Sequence, residues 1–318
     1  MFYTMEHHQK RTIAVVVLVI FALLPRPSGA QENIVYEISA RQKVSWTELI
    51  FKGSKLLTSI TVKIQISSVD QVLGDLSAKR GTGLDDCVEK GDGSKMLTVQ
   101  SLSTGGGSFQ RKYEEKIWFD EKTSHPDKRI RLNSGDAPWV KSYCWEKNGV
   151  RRLKILPGKS GEKKYLSSKW TKRTESFYEY PADATECATI SDPSLILYML
   201  STLDLGGPQE PFEICVFGRK QLHRVTIGQE KLSSLKVAYE VRSSGKEVSV
   251  VDKITPVVFS ITTETFSPVK GKPEAYSFLG LNKDIRIFMD AEKRLPVRIS
   301  GTNNRIGNLV LDLKVRSK

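Results

Sequence analysis

Histidine and cysteine are the side chains best able to run chemistry near neutral pH, and their spacing here excludes most of it. Beyond the first thirty residues only His125 and His223 remain, and neither has a second His or Cys at ligand spacing. A zinc site needs three or four such ligands, and a nucleophilic triad needs a base beside its nucleophile. The four cysteines, Cys87, Cys144, Cys187 and Cys215, form no Cys-x-x-Cys pair, which argues against a redox enzyme. Leu156-Pro157-Gly158-Lys159-Ser160 ends like a phosphate-binding loop, but the glycine that must open the motif falls on Leu153. Asp85-Asp86 and Asp92-Gly93 lack the alternating acids of a calcium loop and read as solvated acids. No nucleophile, base and orienting group can be assembled, so the chain reads as a non-catalytic protein without a cofactor.

Charge carries more. The formal net charge is +13, and little of it lies in the first thirty residues, where Lys10, Arg11 and Arg26 stand against Glu6. From Lys147 to Arg173 ten basic residues, Arg151, Arg152 and Lys154 among them, face Glu162 alone. Such a run attracts anions. In a cell envelope those are lipid phosphates or anionic polymers rather than nucleic acid, which brings peripheral membrane contact into view. The alternative is a solvated basic hairpin that only aids solubility. Trp170, with Lys169 and Lys172 beside it, either anchors at a membrane surface or caps the core. Arg294 and Arg298, flanking Pro296, offer an anion contact or an ordinary solvent face.

These groups need a frame, and the stretch that organises it is 191–208. Asp192 suits a helix cap, Pro193 a first helical position, and Gly206-Gly207-Pro208 a stop. The spacing therefore predicts a short helix over 193–204, apolar almost all round, which must be covered on every side. On it Leu197, Tyr198 and Met199 either pack a dry core or line an apolar ligand cavity. Most of the remaining chain reads as strands. Ile60, Val62, Ile64 and Ile66 alternate with Thr61, Lys63 and Gln65, the period of a half-buried strand. Strand patterns recur over 34–40, 44–51, 96–102, 113–119, 129–132, 139–145 and 151–156, and again over 212–216, 222–227, 235–241, 285–289, 295–299 and 309–313. Turns are expected at Lys52-Gly53-Ser54-Lys55, at Ser243-Ser244-Gly245-Lys246 and at Lys147-Asn148-Gly149-Val150, where Asn-Gly accepts the positive φ of a tight hairpin. The predicted fold is mainly β: an antiparallel, strongly curved sheet, half-barrel or barrel-like, with the helix packed in its concavity. No linker divides 31–318, so one domain is expected there.

The first thirty residues read as a secretory signal peptide. Lys10-Arg11 precede a twelve-residue apolar run over 13–24, and Ser28-Gly29-Ala30 supplies small residues for cleavage after Ala30. The run is short for a membrane span, which needs about twenty residues, although an uncleaved anchor is the alternative. Export makes two disulfides the expectation. Four cysteines allow three pairings, and because Cys187 and Cys215 bracket the helix, Cys187–Cys215 with Cys87–Cys144 is favoured. Closing the first loop is expected to stabilise the fold by roughly 3 to 4 kcal/mol in the chain-entropy model. No Asn-x-Ser/Thr acceptor is present, which leans towards a periplasmic location.

Asp192-Pro193-Ser194-Leu195 with Tyr198, the later strand-turn-strand, and the closing Phe288-Met289-Asp290-Ala291-Glu292-Lys293-Arg294-Leu295-Pro296-Val297-Arg298-Ile299 together resemble domain-of-unknown-function family 3108, a family of exported bacterial proteins. The likeness spans most of 33–315, is firmest in the C-terminal third, and breaks between about 70 and 130, where an insert carries Cys87. That family is similar to the curved half-barrels of outer-membrane lipoprotein carriers, so the resemblance implies fold and location and no activity. The expected function is non-catalytic binding of an apolar or amphiphilic envelope molecule, a lipid or lipid-linked glycan, with basic residues at its anionic head. The competing expectation is a structural or assembly protein whose helix fills a dry core.

Overall fold

Asp192 organises the centre as its position predicts: its carboxylate accepts the Ser194 N–H at 2.9 Å and caps a 3-10 turn, Pro193–Leu195, that runs into helix α1 (Ile196–Thr202). The helix ends earlier than 204. Leu203 is already extended, and the hydroxyls of Ser201 and Thr202 donate back to the carbonyls of Leu197 and Met199, so Gly206-Gly207 lie beyond the stop. Every residue of α1 is buried, as an all-apolar helix requires. In the computed structural model the described residues are 42–55, 57–68, 94–105, 110–207, 210–266 and 274–318, all within the compact unit Ile38–Lys318. The strand expected over 34–40, the signal segment and Cys87 lie outside them.

Around α1 runs a sheet whose strands mostly follow chain order. The first eight are β1 (Glu48–Lys55), β2 (Thr58–Ser68), β3 (Ser94–Thr104), β4 (Gln110–Asp120), β5 (Pro126–Ser134), β6 (Trp139–Glu146), β7 (Gly149–Leu156) and β8 (Lys172–Glu179), each antiparallel to the next. Past the two-residue β9 (Ile190–Ser191) come β10 (Phe212–Phe217), β11 (Leu222–Lys231), β12 (Leu235–Ser243), β13 (Lys246–Ile254) and β14 (Val257–Thr265). The chain closes with β15 (Lys283–Asp290), β16 (Leu295–Asn303) and β17 (Gly307–Ser317). β17 pairs with β1, and the sheet continues through β16, β15, β14, β11 and β10 to β9. The β12–β13 hairpin branches off, held to β17 by a short parallel pairing. Among the described residues the fold is thus a large, strongly curved, mainly antiparallel sheet with one short α-helix.

Alternating residues fill the concavity: Leu49 and Phe51, Val62 and Ile64, Ile285 and Ile287, Val297 and Ile299, Leu311 and Leu313 are all buried. Phe119 meets Tyr198 edge-on at 4.9 Å, and the Trp46 indole N–H donates to Ser201 Oγ at 3.1 Å. The two ends of the sheet are bridged by side chains. Tyr143, Trp145 and Val150 pack with Cys215, Phe217, Leu222 and Phe266. Across this seam lies the disulfide Cys187–Cys215, the pairing favoured from the sequence. Cys144 is also disulfide-bonded, and its expected partner Cys87 lies outside the described residues.

Two expected turns are displaced. β1 continues through 52–55, with Lys55 opposite Thr58, so the reversal comes after Lys55 and not at 52–55. Likewise Glu146 faces Gly149, which makes Lys147-Asn148 the turn and Gly149 the first residue of β7. Gly149 has no positive φ; it is needed because a Cβ there would strike the Tyr178 carbonyl on β8. The positive-φ hairpin is Ser244-Gly245, at 48° and 78°, joining β12 to β13 as expected.

Candidate functional site

Successive residues of a strand point to opposite faces, so the register sorts the basic residues by side. One row crosses the concave face: Ile64 on β2, Val99 on β3, Glu115 on β4, Arg131 on β5, Lys141 on β6 and Lys154 on β7, each directly opposite the next. A parallel row places Arg129, Tyr143, Arg152 and Ser176 opposite one another. Three cations in direct cross-strand register repel one another, which costs stability.

Acids answer only part of this charge. Arg131 Nε lies 3.0 Å from Glu115, which also accepts hydrogen bonds from the hydroxyls of Tyr113 and Ser194, the latter at 2.8 Å. Burial works against the Glu115 carboxylate, but Arg131, Arg129 and these hydrogen bonds hold it below the usual range. Arg129 is fully enclosed. It pairs with Asp192, donates to the Gly218 carbonyl at 2.7 Å, and lies 4.1 Å over the Tyr143 ring. Burial pushes the Asp192 carboxyl up, against the pull of Arg129. This network locks the helix entry to β4, β5 and the turn after β10. Among the described residues Lys141, Arg152, Lys154 and Arg219 have no ion pair. Lys141 is the most stressed: burial first, then Arg131, Arg152, Lys154 and Arg219, lower its ammonium to about 8.

A cavity of about 690 Å³ opens on this surface. Its cations are Arg111, Arg131, Lys141, Arg219 and Arg305, with Glu115 and Glu274 also in the lining and the Trp139 ring 4.4 Å from Lys141 Nζ. Val62, Val99 and Leu279 give it an apolar side, Pro193 and Ser194 bring in the helix entry, and Asn282, Asn303 and Asn304 supply amides. The volume is that of a small-molecule site. Among the described residues no group of His, Cys, Asp and Glu is arranged to hold a metal ion.

The residues expected from the sequence divide. Arg152 and Lys154 share the concave face with Lys141. Arg151 points the other way and pairs with Glu146 at 2.7 Å, so it is no part of the cavity. Trp170 is buried against Val140, Leu153 and Ile155 on the convex side, which decides for the core. Leu197, Tyr198 and Met199 are buried in the interior, and none lines the cavity: the helix contributes its entry, not its middle. Arg298 is held by Asp312 at 2.6 Å and Arg294 by Gln42 and the Lys43 carbonyl, so neither is a free anion contact. Sequence reasoning missed Tyr113, Glu115, Arg131, Trp139, Lys141 and Arg219. Their signal was the strand register, which brings residues far apart in sequence onto one row.

No family model matches the chain, and no curated protein matches it. Among solved structures, the chain is similar to a beta-barrel-like protein of the domain of unknown function DUF1849 from Brucella abortus. The TM-score is 0.43 and the identity 7%, over 87% of this chain and 98% of that one.

Proposed function

We propose that this is a non-catalytic protein of the bacterial envelope that holds an anionic amphiphile in the sheet's concavity. The observation that carries the reading is the cross-strand row running from Ile64 and Val99 to Arg131, Lys141 and Lys154. Along the sheet, four strand spacings separate its apolar end from Lys141, about 19 Å. That gradient suits a molecule whose apolar part lies over Val62, Val99 and Leu279 and whose anion replaces the missing counter-charge at Lys141 and Arg219. Export through the first thirty residues and a periplasmic location belong to the same proposal.

Calorimetric titration with dihexanoylphosphatidylglycerol, with glycerol 3-phosphate and with hexanol tests it. The diacyl probe is expected to bind at least tenfold tighter than either fragment, and Lys141→Gln to weaken it about tenfold, the loss of one charge-assisted contact. The same substitution is expected to leave the empty protein unchanged or more stable by up to about 1 kcal/mol, since it removes a like-charge pair. Equal binding of the probe by Lys141→Gln defeats the assignment.

pH gives an independent check. Lys141 titrates near its ordinary 10.5 in the unfolded chain and at about 8 in the fold. The unfolded chain therefore carries more protons between those values, and the contribution of Lys141 makes stability rise with pH from about 8 to 10.5 and stay flat below 8. A bound anion favours the ammonium. Affinity is thus expected to fall above pH 8, by up to about tenfold per pH unit, which titrations at successive pH values will show.

A further inference from the structure

Between β7 and β8 the chain forms a loop, 157–171, that is fixed from within and apolar at its tip. The Glu162 carboxylate accepts the N–H groups of Gly158 and Thr171, at 2.7 and 3.0 Å, and the Thr171 hydroxyl at 2.8 Å, which closes the loop's base. The buried Trp170 donates its indole N–H to the carbonyls of Glu162 and Tyr165, at 2.9 and 3.2 Å. Two 3-10 turns, Ser160–Lys164 and Ser167–Lys169, take up the rest. Yet Tyr165 is 58% and Leu166 77% exposed, adjacent in the chain and left in solvent by a loop that is otherwise tied down. Lys159, Lys163, Lys164 and Lys169 flank them, and the loop's acid, Glu162, is turned onto its own backbone. Lys169 Nζ lies 5.5 Å from the centre of the Tyr165 ring, and Lys163 donates to the Asp136 carbonyl at 3.0 Å.

We propose that this loop docks the protein on an anionic bilayer, with Tyr165 and Leu166 entering the boundary between head groups and acyl chains and the lysines resting among lipid phosphates. An aromatic ring and a leucine ringed by lysines suit that boundary, where apolar parts sink and ammonium groups stay in the polar layer. A protein partner would need a contact area far beyond two side chains, and a second copy would set lysines against lysines. Each lysine near an anionic surface adds attraction that salt screens. No residue of the loop lines the cavity, so docking and cavity binding are separate.

Co-sedimentation tests this, using protein purified from cells expressing the full chain. Vesicles of phosphatidylglycerol with phosphatidylethanolamine are expected to pellet the protein, phosphatidylcholine vesicles to pellet several-fold less, and raising the salt to about 0.5 M to release it. Leu166→Ser is expected to reduce pelleting at least fivefold, and the pair Lys163→Glu with Lys164→Glu to abolish it. Both side chains are exposed, and Leu166→Ser should still bind soluble dihexanoylphosphatidylglycerol as the parent does, which separates failure of docking from failure of the cavity assignment. Equal pelleting by Leu166→Ser, equal pelleting with phosphatidylcholine, or no pelleting at all overturns the proposal.

Discussion

Replacing Asp192 with alanine is expected to lower the unfolding free energy by about 3 to 5 kcal/mol, the range for removing one partner of a buried ion pair. Asp192 is inaccessible to solvent and Arg129 nearly so, which leaves the guanidinium enclosed by Tyr143 and Trp145 with its charge uncompensated. The helix entry loses its cap in the same step, which adds about 1 kcal/mol. Arg129 also holds the Gly218 carbonyl, so the turn carrying Arg219 should loosen and anion affinity should fall with stability. Urea unfolding will show the loss as a lower midpoint at unchanged slope. Joining Asp192→Leu to Arg129→Met should recover much of it, because apolar replacement of both partners removes the stranded charge. A single-variant loss under about 1 kcal/mol would show that the pair does not lock the helix to β5.

The sequence made the frame legible and the site only in part, for a physical reason. Asp192-Pro193 before an unbroken apolar run has one economical outcome, a capped and fully covered helix, and period-two alternation has one as well. The two alternations sit together only as a curved sheet around that helix. The basic run 147–173 was visible too, but adjacent residues on a strand face opposite ways, so Arg151 and Arg152 separate at once. What stayed hidden was register. Reading Asn148-Gly149 as the turn puts Lys154 opposite Tyr143; the actual turn, Lys147-Asn148, puts it opposite Lys141. Moving the turn by one residue shifts the pairing by two, which keeps the faces and changes the partners. Lys141 and Arg131 then become members of a cationic row instead of unremarked strand residues. Arg219 joins from a turn whose position only the closure of the sheet decides.

Leu197→Ala is expected to cost about 2 to 5 kcal/mol, the lost burial of the side chain plus the void it leaves. Leu197 is 1% exposed as the second residue of α1, a helix over which Trp46, Phe119 and β16 close. The cavity reaches only Pro193 and Ser194, a full turn earlier. Truncation should therefore lower the melting temperature equally with and without dihexanoylphosphatidylglycerol, and should leave its affinity within about twofold of the parent, because no residue of α1 lines the cavity. A helix bordering the ligand would behave in the opposite way, because a pocket tolerates added space and its affinity responds to that space. Lys141→Gln completes the contrast, with affinity lost and stability kept. If Leu197→Ala instead changes affinity and spares stability, the ligand lies along the helix and the cationic row is not its seat.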